Sequence, residues 1–266
     1  MNKHLTFLLA LLIGSVALAS EPVTLPAQEK FHLFLLAGQS NMAGRGKVTA
    51  EDKIPHPRVL MLNQDGQWVP AVDPVHYDKK FAGVGLARSF AQVLAEKDPN
   101  IVIGLIPTAC GGSSITQWEP GKYHEQTKSH PYDDAISRSK QALKDGVLKG
   151  ILWHQGEADG NPKRALLYEE LLTNLIQRLR TDLGAPDVPF IIGQLGQFPA
   201  KPWSEHRKKV DQAQQAVATA SPSVGFVPSD GLTPNPDNVH FNADSLRIFG
   251  KRYAKIYLQI LTQSSE

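Results

Sequence analysis

Phe31-His32-Leu33-Phe34-Leu35-Leu36-Ala37-Gly38-Gln39-Ser40-Asn41-Met42-Ala43-Gly44-Arg45-Gly46 is the stretch on which the rest of the chain depends. It opens as an apolar run of strand length and stops abruptly at Gly-Gln-Ser-Asn. An apolar run bounded by glycine reads as a strand buried on both faces, as in a parallel sheet. A lone hydroxyl, Ser40, follows its carboxyl end, flanked by Gly38 and the amides Gln39 and Asn41. In open α/β sheets ligands bind outside the carboxyl ends of the strands. Residues after Ser40 can start a helix whose first amides face whatever sits there. The same stretch is equally well read as a strand-to-helix turn capped by Ser40.

Working outward, the chain repeats this alternation. Short apolar runs at 59–62, 101–106, 150–154, 188–195 and 225–228 read as strands, and 188–195 runs straight into Gly196. Segments 85–97, 135–147, 164–183, 206–219 and 245–261 carry apolar residues at helical spacing. Residues 63–66 read as a turn and 68–80 as a loop. Residues 112–131 form a long polar and aromatic loop without period, of a length that is usually functional or mobile. Strands alternating with helices imply an α/β fold with a parallel sheet covered on both faces. No repeat or linker divides residues 21–266, which read as a single doubly wound domain.

Residues 1–20 read as an export signal. Lys3 and His4 give a basic start, residues 5–12 an apolar core, and Ala17-Leu18-Ala19 the small residues of a cleavage site. The apolar run is interrupted at Gly14 and Ser15 and is short for a membrane span. The expected location is therefore secreted or periplasmic. The chain has 28 Lys and Arg against 26 Asp and Glu, and loss of Lys3 leaves 27 against 26. That balance gives no electrostatic case for nucleic acid or an acidic membrane as partner. The one cysteine, Cys110, excludes an internal disulfide and reads as a small buried residue rather than a nucleophile.

The predicted strand ends carry groups that acyl transfer needs. Ser40 is a hydroxyl nucleophile if a base lies beside it. Gly111-Gly112-Ser113 would let a backbone amide approach a developing oxyanion, or would merely make a tight turn. His154-Gln155-Gly156-Glu157 offers a side-chain amide, Gln155, that suits either an oxyanion donor or a structural hydrogen bond. Before the last helix, Asp237-Asn238-Val239-His240 spaces a carboxylate to reach the far nitrogen of an imidazole. Each alone has a bland reading: His240 as a surface histidine, Asp237 as a turn residue after Pro236. Together, at strand ends and before the final helix, they point to one site.

The combination Gly38-Gln39-Ser40-Asn41-Met42, His154-Gln155-Gly156-Glu157 and Asp237-x-x-His240 resembles the SGNH hydrolase superfamily, relatives of GDSL esterases. Within it, the chain is similar to the branch of sialic-acid-specific 9-O-acetylesterases and carbohydrate esterase family 6 acetyl xylan esterases. The resemblance spans nearly all of the mature chain. It implies a three-layer α/β/α, flavodoxin-like fold with Ser40 as nucleophile, His240 as base and Asp237 as its partner. It also implies an oxyanion hole from the amides of Ser40 and of Gly111 or Gly112, plus the Gln155 side chain. Glu157 matches a family acid that can also approach the histidine and competes with Asp237 for that role. The substrate expected is an acetylated carbohydrate, acetyl xylan or a related polysaccharide. O-acetyl sialate and small esters are alternatives, as is an inactive glycan-binding protein on the same fold. Asn41, Ser113 and Trp118 are the expected substrate contacts. No metal or organic cofactor is expected, because His, Asp and Glu do not cluster at metal-ligand spacing.

Overall fold

A computed structural model describes residues 23–263. Residues 1–20, read above as an export signal, lie outside that range. Seven strands form one sheet: β1 (Phe31–Gly38), β2 (Val59–Leu62), β3 (Trp68–Pro70), β4 (Val102–Pro107), β5 (Val147–His154), β6 (Phe190–Gly193) and β7 (Val224–Val227). The helices are α1 (Ser40–Ala43), α2 (Ala87–Lys97), α3 (Pro131–Ala142), α4 (Pro162–Ala165), α5 (Tyr168–Asp182), α6 (Glu205–Thr219) and α7 (Ala243–Gln263). The spatial order is β3-β2-β4-β1-β5-β6-β7, with every neighbouring pair parallel except β2 and β3.

Alternate residues of a strand face opposite sides of its sheet, and β1 divides its side chains accordingly. Phe31, Leu33, Leu35 and Ala37 pack with Tyr132 of α3, Leu172 and Leu175 of α5 and Val210 of α6. Phe34 and Leu36 pack with Phe90 and Leu94 of α2 and Leu246, Phe249 and Tyr253 of α7. The apolar run without alternation is thus what a strand covered on both faces requires, and the expected three-layer α/β/α fold is the one observed. The cores are closely filled: Leu35 is fully buried, and its truncation to alanine is expected to cost about 2–5 kcal/mol.

The sequence reading departs from the structure where elements are short or abut. Residues 68–70, expected in a loop, form the edge strand β3, paired across the turn at Gly66, whose φ is +77°. Two half-buried residues and an exposed proline carry no periodic pattern, so that strand is set by the hairpin turn rather than by its own composition. The third helix spans 131–142 rather than 135–147, with Pro131 at its first turn. Val147 already belongs to β5. Within the aperiodic loop, Ile115–Trp118 is a turn of 3-10 helix held by a reciprocal Ser114–Gln117 capping box.

After β1 the chain moves to one side of it, to β2 and β3, and returns as β4. It then crosses to the other side, to β5, β6 and β7. The carboxyl end of β1 is therefore the topological switch point, where an open α/β sheet leaves a crevice.

Candidate active site

Ser40 sits at that switch point. Gly38 closes β1 with φ +131°, and a Cβ there would fall 2.2 Å from the carbonyl oxygen of His154, so only glycine lets β1 run this close to β5. The amide of Gln39 donates to His154 O at 2.9 Å, and Gly38 O accepts from the amide of Cys110 at 2.9 Å. The turn is thereby tied to both neighbouring strands. Gln39 occupies the cap position of α1 and Ser40 its first turn. The Ser40 hydroxyl does not cap the helix; its Oγ lies 2.9 Å from Nε2 of His240, two hundred residues away in sequence.

His240 is presented by the loop before α7. Asp237 Oδ1 accepts the amides of Val239 and His240 at 2.8 and 2.9 Å, which makes the turn. Its Oδ2 lies 2.7 Å from Nδ1 of His240. One carboxylate therefore shapes the loop and holds the ring. Partial burial works to raise the Asp237 pKa, but hydrogen bonds from the His240 amide, the His240 ring and the Val239 amide outweigh it, and the carboxyl is held below its ordinary value. The next residue, Phe241, is fully buried against Phe198, Phe249 and His154, and it anchors the loop in the α2–α7 layer.

Asn41, expected at the substrate, is instead fully buried behind the nucleophile turn. Its Oδ1 accepts the amide of Phe241 at 3.0 Å. Its Nδ2 donates to Val239 O at 3.3 Å and to Glu157 Oε1 at 2.6 Å. Ser113 and Trp118, also expected at the substrate, are fully buried and bonded to each other, with Trp118 Nε1 donating to Ser113 Oγ at 3.0 Å. Full burial leaves none of the three a surface to offer a sugar.

Gln155 is likewise turned inward. Its Nε2 reaches Asp159 Oδ2, Ser113 O at 2.9 Å and Gln39 Oε1 at 3.1 Å, while its Oε1 accepts from the Tyr168 hydroxyl at 2.9 Å. With both amide hydrogens committed to buried acceptors, the side chain has no donor for an oxyanion. Gly111 is excluded in the same way, because its amide donates to Asp78 Oδ2 at 2.9 Å. The amides of Ser40 and Gly112 remain: both residues line the pocket, and neither N–H donates to a described group. Gly112 has φ +88°, and a Cβ on it would meet Gln126 Oε1 at 2.7 Å. Glu157 lines the same pocket but contacts Asn41, and its Oε1 lies 3.7 Å from Nδ1 of the buried His154; no hydrogen bond or ion pair joins it to His240 among the described residues. Burial holds the His154 ring below its ordinary pKa, so it is a neutral packing partner. Cys110 is buried, its Sγ 3.4 Å from Thr108 O and from Ser129 Oγ, and burial pushes its thiol up to about 11.

The pocket over Ser40 has a volume of about 390 Å³. Its walls include residues that no motif singled out. Arg45, Lys79, Phe81 and Gln126 stand on the β4 side, Lys201 stands on the loop between β6 and α6, and Arg207 stands in the first turn of α6. All but Arg207 come from segments without periodic pattern, where composition alone gives no signal of what the fold brings together. Arg45 is buried and paired with Asp78 at 2.7 Å.

Residues 30–259 match the family model described as carbohydrate esterase, sialic acid-specific acetylesterase. A probable carbohydrate esterase of Arabidopsis thaliana is 33% identical over 247 residues, which cover 85% of this chain and 90% of that protein. The X-ray structure of the Arabidopsis protein superposes with a TM-score of 0.76 over 86% of this chain and 98% of its own, at 31% identity. A carbohydrate acetylesterase of Xanthomonas citri shares the fold, with a TM-score of 0.67 at 21% identity over 86% of this chain and 56% of its own. The chain belongs to the carbohydrate esterase, sialic acid-specific acetylesterase family, and it is a carbohydrate O-acetylesterase.

Proposed function

We propose that the protein is an exported serine esterase that removes O-acetyl groups from a polysaccharide of the acetyl xylan kind through an acetyl-enzyme. The observation that carries this reading is the continuous relay Ser40 Oγ, His240 Nε2, His240 Nδ1, Asp237 Oδ2, with links of 2.9 and 2.7 Å. Ser40 Oγ attacks the acetyl carbonyl carbon as Nε2 takes its proton, and Asp237 stabilises the imidazolium that forms. The negative charge on the carbonyl oxygen is met by the amides of Ser40 and Gly112. The intermediate collapses, the C–O bond to the sugar breaks, and the imidazolium returns its proton to the departing sugar oxygen. Water then attacks the acetyl-Ser40 ester with His240 again as base, releasing acetate and the free serine.

The test is acetate release from acetylated polysaccharides by the wild type and by Ser40→Ala, with mass spectrometry of quenched enzyme for an acetyl group on Ser40. Retained turnover in the Ser40 variant, or an acetyl group on another residue, would overturn the mechanism.

A further inference from the structure

The pocket walls carry more positive charge than the chemistry at Ser40 uses. Arg45 is neutralised by Asp78, but Lys79, Lys201 and Arg207 make no ion pair among the described residues. Among the described residues the only acid that lines the pocket is Glu157, which is partly buried and engaged by Asn41. The whole chain has a net charge of only +2, so three unpaired cations around one cleft are a local concentration rather than a global bias.

The cations are also divided. Lys79 stands with the segment after β4, its Nζ donating to Gln126 at 2.9 Å. Beside it Phe81 is 66% exposed, an apolar ring face at the pocket edge, with the Lys79 ammonium 5.9 Å and the Arg45 guanidinium 5.1 Å from its centroid. Lys201 and Arg207 stand beyond β5, with Arg207 over Gly160. The order β4-β1-β5-β6 puts Ser40 between the two groups. An exposed aromatic ring offers a platform to the apolar face of a sugar, and a few charged groups around such a face set orientation.

We propose that the cleft takes an acetylated glycan strand bearing carboxylates on both sides of the acetylated unit, a polyuronate-type chain, with one sugar on Phe81. Lys79 on one wall and Lys201 with Arg207 on the other are its counter-charges. This rests on the esterase chemistry proposed above and replaces its acetyl xylan substrate with an acidic strand. A monosaccharide ester with a single carboxylate would engage only one wall, whereas a repeating acidic chain engages both.

The experiment compares one acetylated polyuronate with the same polymer after its carboxylates are reduced to alcohols, so that only charge differs. We expect kcat/KM to favour the acidic polymer and the preference to shrink in about 0.5 M salt. Lys79→Ala should lower the acidic-to-reduced ratio about three- to fivefold, and the Lys201→Ala/Arg207→Ala double variant about tenfold. Equal rates on the two polymers overturn the proposal. A ratio that only one wall's variants lower, or a higher kcat/KM on monomeric O-acetyl sialic acid, overturns the two-sided strand. If the enzyme hydrolyses no acetyl ester, the esterase reading fails separately. Binding of wild-type protein to the two polymers then decides the charge assignment, with equal affinity overturning it.

Discussion

The side-chain oxygen of Asn41 accepts the backbone amide of Phe241 at 3.0 Å, so the residue after Ser40 is fastened to the residue after His240. The same side chain donates to Val239 O and to Glu157. Ser40 and His240 are far apart in sequence, and their separation of 2.9 Å depends on this clamp.

Asn41→Ala therefore leaves a buried amide and a buried carboxylate without partners. An orphaned buried group costs about 1–3 kcal/mol, more when charged. The variant should lose at least that much stability in urea denaturation, and turnover should fall at temperatures where it remains folded. A stable variant with wild-type turnover would show that Phe241 packing alone places the loop.

Asp237 and Glu157 should respond unequally to neutralisation. Asp237→Asn removes the acceptor at Nδ1 and favours the wrong tautomer, so turnover should fall steeply, by up to ~10⁴. Glu157→Gln keeps an oxygen for Asn41 and should lose far less. If the Glu157 variant proves the more damaged, with both folded, the acid at His240 has been misassigned.

The Asp237 carboxyl is held below its ordinary value, which fixes the direction of a pH effect. A group whose pKa is lowered on folding contributes stability above its unfolded pKa and loses it as pH falls through the folded one. Urea midpoints of wild type and Asp237→Asn should therefore differ at pH 6 and converge below the ordinary aspartate value of 3.8. Parallel curves down to pH 3 would count against the pairing.

Gln155→Ala should act as a core lesion. It strips partners from Gln39, Asp159, Ser113 and Tyr168 together. A loss of about 3 kcal/mol or more is expected, the scale of several unsatisfied buried groups. A large fall in kcat with an unchanged denaturation midpoint would return Gln155 to the oxyanion.

Cys110 should resist alkylation in the native protein at neutral pH, because its buried thiol is pushed up to about 11 and the thiolate is the reactive form. Rapid labelling by iodoacetamide without unfolding would contradict that burial.

The parts legible in the sequence are those whose geometry is local. The eight residues of β1, six of them hydrophobic, declare a strand covered on both faces. Asp237 and His240 are three residues apart in one turn, and Ser40 follows a glycine that only a tight approach requires. Gln155 was ambiguous because the direction of its amide is decided by Asp159 and Tyr168, one four residues on and the other on a different helix. Gly111 and Gly112 look alike in sequence, and only Asp78, from a segment with no periodic pattern, separates them. Asn41, Ser113 and Trp118 are polar or amphipathic residues next to motif positions, and their inward orientation is a tertiary fact. The cationic walls are invisible for the same reason: Lys79 and Lys201 come from two separate loops and Arg207 from the first turn of α6.

The Phe241 anchor also bears on how the catalyst comes into being. The Ser40 turn depends on β1, β4 and β5, whereas His240 waits for the loop that Phe241 seats against Phe249 of α7, the last described element. Closing a contact across two hundred residues is entropically costly until the intervening chain has packed. A nascent or refolding chain would thus hold its serine unactivated until the final helix docks. Recovery of esterase activity would then time the end of folding, lagging behind the far-ultraviolet signal of the sheet.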